Sequence, residues 1–266
     1  MKILWVGDIV GSPGRRMFAQ VAKELKGSNQ VAAIIANGEN AAAGNGITEP
    51  LAQELISAGA DVVTLGDHVW GQKGSEQVVA SMKRVVRPAN LPPGCPGVGV
   101  VTIQTATFGP ITVMPFLGRV FMQPVDCPFL TADAILEKLS GCAGPIFAEI
   151  HAEATSEKIA FGRYLDGRVC AVAGTHTHVP TNDCQILPNG TAYITDLGMT
   201  GPIDSVIGRE VPPVIKKFKT GMPKKFDVGA GPAILQGVII DVDRTTKKAL
   251  SITPYIRRES EPGRLA

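Results

Sequence analysis

The 266-residue chain contains four histidines, and each one follows closely on an apolar run. His68 ends TLGDH, His151 ends PIFAEIH, and His176 and His178 end CAVAGTHTH. Three carboxylates and an amide sit at equivalent places: Asp8 after KILWVG, Glu39 and Asn40 after VAAIIANG, and Asp67 beside His68. Mixed imidazole and oxygen donors suit iron, manganese or zinc better than magnesium or calcium. The donors are too many for one tetrahedral ion, so a pair of ions is the economical reading.

Taken singly, each residue has an ordinary structural reading. Asp8 would cap a helix starting near Pro13, Glu39 and Asn40 would shape a glycine-rich turn, and Asp67-His68 would be a loop pair. A lone histidine after a strand is most often a satisfied structural or surface residue. Their coincidence at strand ends is what points to one shared site. Side chains of extended chain alternate with a period of two. His176 and His178 are therefore expected to point the same way, with Pro180 ending the strand.

The elements that must position these residues can be read from the pattern. KILWVG, VAAIIA and DVVTLG are continuous apolar runs, as expected for parallel strands covered on both faces. PGRRMFAQVAKEL and TEPLAQELISAG between them have helical spacing, the second opening with Thr48 as cap, Glu49 and an early Pro50. From about Val98 the pattern turns to strands and turns: VGVVTIQT, PITVMPF, PIFAEI, RVCAVAG, AILQGVIIDV and ALSITPYI. A hairpin is expected around LPNGTAYIT, where Pro188-Asn189-Gly190 supplies the turn. Ligands of α/β sheets bind at the carboxyl ends of strands, where the candidate residues lie. The stretch from Arg84 to Gly97 is loop-rich without being a boundary. One domain over residues 1–266, with two packed sheets and outer helices, is the expected organisation.

Composition narrows the rest. Hydrophobic residues make up 44% of the chain, enough for a sizeable core, and 26 basic against 24 acidic residues give a net charge of +2. That balance disfavours a general polyanion-binding surface. Five scattered cysteines, Cys95, Cys127, Cys142, Cys170 and Cys184, without a CxxC pair, fit reduced thiols in a cytoplasm. MKILWVGDIVG reads as a first strand and not as a signal peptide, and no run reaches the roughly 20 apolar residues of a membrane span. A soluble cytoplasmic protein is expected. Gly7, Gly11 and Gly14 do not form the dinucleotide fingerprint, and neither a GxxxxGK[ST] loop nor a GxSxG elbow is present. A thiol nucleophile at Cys170 or Cys184 is the weaker alternative, buried structural thiols being commoner. The basic and aromatic stretch Lys216–Phe226 reads as a solvated helix end and loop, or as a rim attracting phosphate substrates.

The segments GDIVGSPGR, NGENAAAGNGI, TLGDHVW, HAEATSEK, GTHTHVPTND and ITDLGMTGP, in this order, closely resemble the bacterial YmdB-like branch of the calcineurin-type metallophosphoesterases. The resemblance runs from about Lys2 to the mid-250s. It implies the calcineurin-like metallophosphoesterase fold, an α/β (α+β) four-layer αββα sandwich with a di-metal centre between loops at one end. It also implies hydrolysis of phosphodiesters, 2′,3′-cyclic nucleotides being the usual substrates. Carried over by motif, Asp8, Glu39, Asn40 and His178 would hold one metal. Glu39 would bridge to a second, completed by Asp67, His151 and His176. His68 would be the general acid. The metals expected are iron (Fe2+/Fe3+) or Mn2+, with Zn2+ next.

Two departures stand out. The broader superfamily opens with DxH, whereas Val10 stands two residues after Asp8, with Asn40 as the substitute ligand. The superfamily also uses GNH at the third strand, where this chain has Asp67. An acid there brings the formal charge of the loaded centre to about 0 instead of about +1, which favours tight metal retention or a trivalent iron. The expected partner is a small phosphodiester or nucleotide. A nucleic acid is less favoured, no membrane is implied, and a homo-oligomer is compatible. A phosphomonoesterase or nuclease on the same centre, or a metal-binding regulatory protein with little turnover, are the rival functions.

Overall fold

The apolar runs at the start of the chain become parallel strands. In the computed structural model, which describes residues 1–141 and 143–259, the chain begins with β1 (Lys2–Val6), β2 (Asp8–Ile9), β3 (Ala33–Asn37), β4 (Val62–Thr64) and β5 (Val85–Val86). β1, β3, β4 and β5 pair in parallel in that order. A second, six-stranded sheet follows, from β6 (Val101–Thr105), β7 (Gly109–Leu117), β8 (Ile146–His151), β9 (Ala171–Thr175), β10 (Gln185–Ile186) and β11 (Ala192–Ile194). The chain then returns to the first sheet with β12 (Met199–Pro202), β13 (Ala233–Val242) and β14 (Ala249–Arg258), making it eight-stranded. β13 lies antiparallel to β1, with Lys2 opposite Asp241.

Alternation along the strands sorts side chains between three apolar layers. Ile3, Trp5, Ala33 and Ile35 face the second sheet, where they meet Val113, Phe147, Ala171 and Ala173. Leu4, Val6, Ile34 and Ala36 face the opposite way, onto the helices α1 (Gly11–Gly27), α2 (Glu49–Ala58) and α3 (Ser75–Ser81). The outer face of the second sheet, with Met114, Phe116, Ala148 and Ile150, is covered through Ala132 of α4 (Pro128–Lys138) and Phe161 of α5 (Thr155–Tyr164). The order is helices, sheet, sheet, helices: the expected αββα sandwich. The strands β1, β3, β4, β8 and β9 are buried on both faces, which is why they read as unbroken apolar runs.

Several local expectations are corrected. The chain after Val98 is not strands and turns alone. It also carries α4, α5 and a sixth helix, α6 (Val211–Thr220), and β7, β8, β9 and β11 pair in parallel. The first helix starts at Gly11, two residues before Pro13, and its N-cap is Val10, so Asp8 does not cap it. Thr48 stands at the N-cap of α2 but makes no side-chain capping bond. The strand expected from Val98 begins at Val101. The LPNGTAYIT hairpin forms as read, with Gln185 opposite Tyr193 and the Gly190 N–H donating to the Leu187 carbonyl at 2.9 Å. Lys216–Phe226 divides into the last turns of α6 and an exposed loop. Cys142 and residues 260–266 of the expected domain lie outside the described residues. No helix among the described residues is long and apolar enough to cross a membrane.

Candidate metal centre

Strands and strand ends of both sheets contribute to one cluster. From the first sheet come Asp8 in β2, Glu39 and Asn40 in the turn after β3, and Asp67 and His68 after β4; from the second come His151 at the end of β8 and the His176–His178 turn after β9. Asp8, Glu39, Asn40 and His151 are at most 1% exposed. Glu39, Asp67, His151 and His176 offer ligand atoms that all lie within 4.8 Å of one another. His151 Nε2 is 2.9 Å from Asp67 Oδ1 and 3.2 Å from Glu39 Oε1. His176 Nδ1 faces His151 Nε2 at 3.0 Å and Asp67 Oδ1 at 3.5 Å.

Asn40 and His178 form a neighbouring set. His178 Nε2 lies 2.9 Å from Asn40 Oδ1, while its Nδ1 lies 3.0 Å from the Ile207 carbonyl. Asn40 Nδ2 is 3.3 Å from Glu39 Oε1, which links the two sets. Asp8 Oδ2 accepts the His176 backbone N–H at 3.1 Å. Asp8 Oδ1 is the buried side-chain atom left without a hydrogen-bond partner among the described residues. A buried, unpaired carboxylate oxygen is costly unless a cation meets it. Oxygen and imidazole donors converging beside it fit a site for metal ions. All seven residues read from the sequence as ligands, and His68, are brought together.

The electrostatics are those of mutually stabilised charges. Burial opposes ionisation of Glu39, but His151 and His68 outweigh it and hold the carboxyl at about 2. Burial likewise opposes Asp67, and its contacts with His151 and His176 bring it below the usual carboxylate range. Burial raises Asp8, against the pull of His178 and His151. His68 is raised, first by its contact with Glu39. Its Nδ1 lies 3.2 Å from Glu39 Oε1 and 2.9 Å from Asn40 Nδ2, so Nε2 is the ring nitrogen left for other partners.

One positional expectation fails. β9 ends at Thr175, and His176 and His178 are not extended: their φ values are 100° and 65°. Left-handed backbone is unfavourable for side chains of this size, and it sends the two rings into different ligand sets. Asp8 holds the turn from one side. Asp196 holds it from the other, accepting the Thr177 N–H at 3.1 Å and the Thr177 hydroxyl at 2.8 Å. Asp196 is in turn paired with Lys158 at 2.7 Å, both side chains 1% exposed.

Sequence reasoning missed these supports. Glu149, fully buried, accepts from Asn37 Nδ2 and the Thr64 hydroxyl at 2.7 Å, and from Trp5 Nε1 and the Thr175 hydroxyl at 3.2 Å. Burial pushes its carboxyl up to about 7. Thr175 Oγ1 also meets His151 Nδ1 at 2.9 Å, fixing the outer nitrogen of that ring. An acid inside the apolar run PIFAEI was the available signal. Gly66 is required by close approach, since a Cβ there would overlap Glu39 Oε2 and the His151 ring.

A family model described as YmdB-like protein matches residues 4–255. A 2′,3′-cyclic-nucleotide 2′-phosphodiesterase of Bacillus subtilis (strain 168) is 48% identical over 252 residues, covering 95% of each chain. A crystal structure of a hypothetical protein from Thermus thermophilus superposes with a TM-score of 0.91 at 40% identity, over 97% of this chain and all of the other. A Mycoplasma pneumoniae phosphatase superposes with a TM-score of 0.90 at 35% identity, over 98% of this chain and 95% of the other.

Proposed function

The chain belongs to the YmdB-like family, and on that premise we propose that it is a metal-dependent phosphodiesterase whose foremost substrates are 2′,3′-cyclic nucleotides. The observation that carries this reading is the buried cluster of Glu39, Asp67, His151 and His176 beside the unpartnered Asp8 Oδ1. The relative at 48% identity bears the name of that activity. The adjoining cavity of about 320 Å³ is near the small end of ligand pockets and has room for a small diester. We take residues 1–266 as one metallophosphoesterase domain. We assign it to the cytoplasm, where the free thiols Cys95, Cys127, Cys170 and Cys184 stay reduced.

In this proposal Asp8, Glu39, Asn40 and His178 would hold one ion, and Glu39, with Asp67, His151 and His176, would hold a second. Iron or manganese suits this donor set best, with zinc next. The ions would supply Lewis acidity toward phosphoryl oxygens and would lower the pKa of bound water to about 7. The protein's own residues do the rest. The buried carboxylates fix the positions of charge before substrate arrives, the Ile207 carbonyl and Thr175 hold the outer nitrogens of His178 and His151, and His68 donates a proton to the leaving ribose oxygen through Nε2. Asp67, an acid where the superfamily has an amide, adds negative charge that favours metal retention.

The test is hydrolysis of 2′,3′-cyclic AMP by manganese- and iron-loaded protein, with Glu39→Gln as the matched blank. Turnover that vanishes in Glu39→Gln supports the assignment. His68→Ala should keep both metals and lose about 10²- to 10⁴-fold in kcat; loss of metal in that variant would instead make His68 a ligand. Asp67→Asn should lower metal retention, and unchanged occupancy and metal preference would remove its assigned role.

A further inference from the structure

We propose that Glu153 sets the preference of this centre for phosphodiesters over phosphomonoesters, acting as a fixed negative charge on the cavity wall behind His176. The proposal rests on the phosphoesterase reading above and names what selects the substrate class at that site. Two carboxylates line the cavity. Glu39 is buried at its floor, whereas Glu153 has a side chain 52% exposed. Glu153 stands in the loop between β8 and α5, two residues after His151.

Its placement follows from the orientation of His176. That ring turns Nδ1 toward His151 and Asp67, so Nε2 points outward and meets Glu153 Oε2 at 3.2 Å. A neutral imidazole serving as a ligand through Nδ1 carries its proton on Nε2, and Glu153 is the acceptor for it. The contact sets the carboxylate against the outer edge of the His176 ring, on the cavity wall.

Charge then discriminates between substrates. A phosphodiester brings one negative charge, whereas a phosphomonoester brings nearly two at neutral pH. The repulsion by Glu153 is correspondingly about twice as large for the monoester. Arg209, the arginine lining the cavity, gives three of its five guanidinium donors to the carbonyls of Ala43, Phe226 and Gly44, which ties up its end-on Nη1/Nη2 fork. Opening a cyclic diester produces a monoester, so the same charge that admits the substrate favours departure of the product.

Metal-loaded wild type, Glu153→Gln and Glu153→Ala should be compared at pH 8 on bis(p-nitrophenyl) phosphate and p-nitrophenyl phosphate. Calorimetry should follow binding of inorganic phosphate and retention of metal. Gln keeps an acceptor for His176 and removes the charge; Ala removes both. Glu153→Gln is expected to keep its metals, shift the diester-to-monoester ratio of kcat/KM about fivefold toward the monoester, mainly through KM, and tighten phosphate binding to a similar degree. The shift should shrink as salt rises, as for any exposed charge. Glu153→Ala should in addition hold metal about 10- to 100-fold more weakly. An unchanged ratio and phosphate affinity in Glu153→Gln would overturn the inference alone. So would an equal loss on both substrates with metal loss in both variants, which would make Glu153 a positioning residue only. Wild-type protein that turned over neither substrate would overturn the parent reading, and this inference with it.

Discussion

At the scale of single residues, the thiols illustrate how environment decides between chemistries that sequence leaves open. Burial pushes the Cys170 thiol up to about 12, and burial with the nearby Asp183 charge pushes Cys184 up to about 11. A nucleophilic cysteine needs the opposite shift, because the thiolate is the reactive form. Native protein treated with iodoacetamide at pH 8 should therefore leave Cys170 and Cys184 unmodified. Both should react once the chain is unfolded in guanidinium. Rapid native labelling of either, in step with loss of activity, would revive the thiol mechanism. The histidines were more legible than the thiols. Their scarcity, and their placement just after apolar runs, pointed to one site without any knowledge of the backbone between them. What could not be read was the left-handed turn at His176 and His178. It depends on backbone contacts with Asp8 and Asp196, the first lying 168 residues away.

At the scale of elements, the histidine turn is braced by a buried ion pair joining α5 to the segment after β11. Lys158 donates to Asp196 Oδ2, the same oxygen that holds Thr177, while Asp196 Oδ1 accepts the Gly198 N–H at 2.8 Å. Asp196→Asn would leave the Lys158 ammonium buried without its counter-charge, a change worth about 3–5 kcal/mol of destabilisation. Urea unfolding should show that loss as a lower midpoint at unchanged slope. The double variant Lys158→Met with Asp196→Asn should recover part of it. A single variant within about 0.5 kcal/mol of wild type would mean that the pair does not brace the fold. The same elements mark where pattern reading stopped. Strands buried on both faces announce themselves as apolar runs, and β1, β3, β4 and β8 were read from that signal. α5 did not: TSEKIAFGRY mixes charged and apolar residues with little periodicity, and nothing local says that Lys158 is buried. α4 opens on Pro128 after the loop 118–127 and went unread. Parallel pairing within the second sheet depends on contacts across whole helices, which no local window contains.

At the scale of the whole molecule, the two sheets meet at the candidate metal site, so on the proposed function its occupancy should be felt by the entire fold. A ligand that binds only the native state stabilises it by about 2.7 kcal/mol at a hundred times its Kd. For a protein of this size about 1 kcal/mol moves Tm by about 2–4 °C. Adding Mn2+ to metal-free protein should therefore raise Tm by about 5–10 °C, and Glu39→Gln should lose most of that rise. A shift of equal size in Glu39→Gln would mean that manganese stabilises the protein from somewhere else. The order of the chain through the two sheets also governs how the protein is made. β1 is synthesised long before its antiparallel partner β13, with Lys2 opposite Asp241. At about 5–20 residues per second, Lys2 waits about 10–50 s for that partner to be synthesised. Asp8 likewise emerges long before the histidines with which it shares the site. The full set of candidate ligands is therefore present only once His178 has been made. A premature stop before Ala233 would leave one side of β1 open instead of yielding a smaller working enzyme.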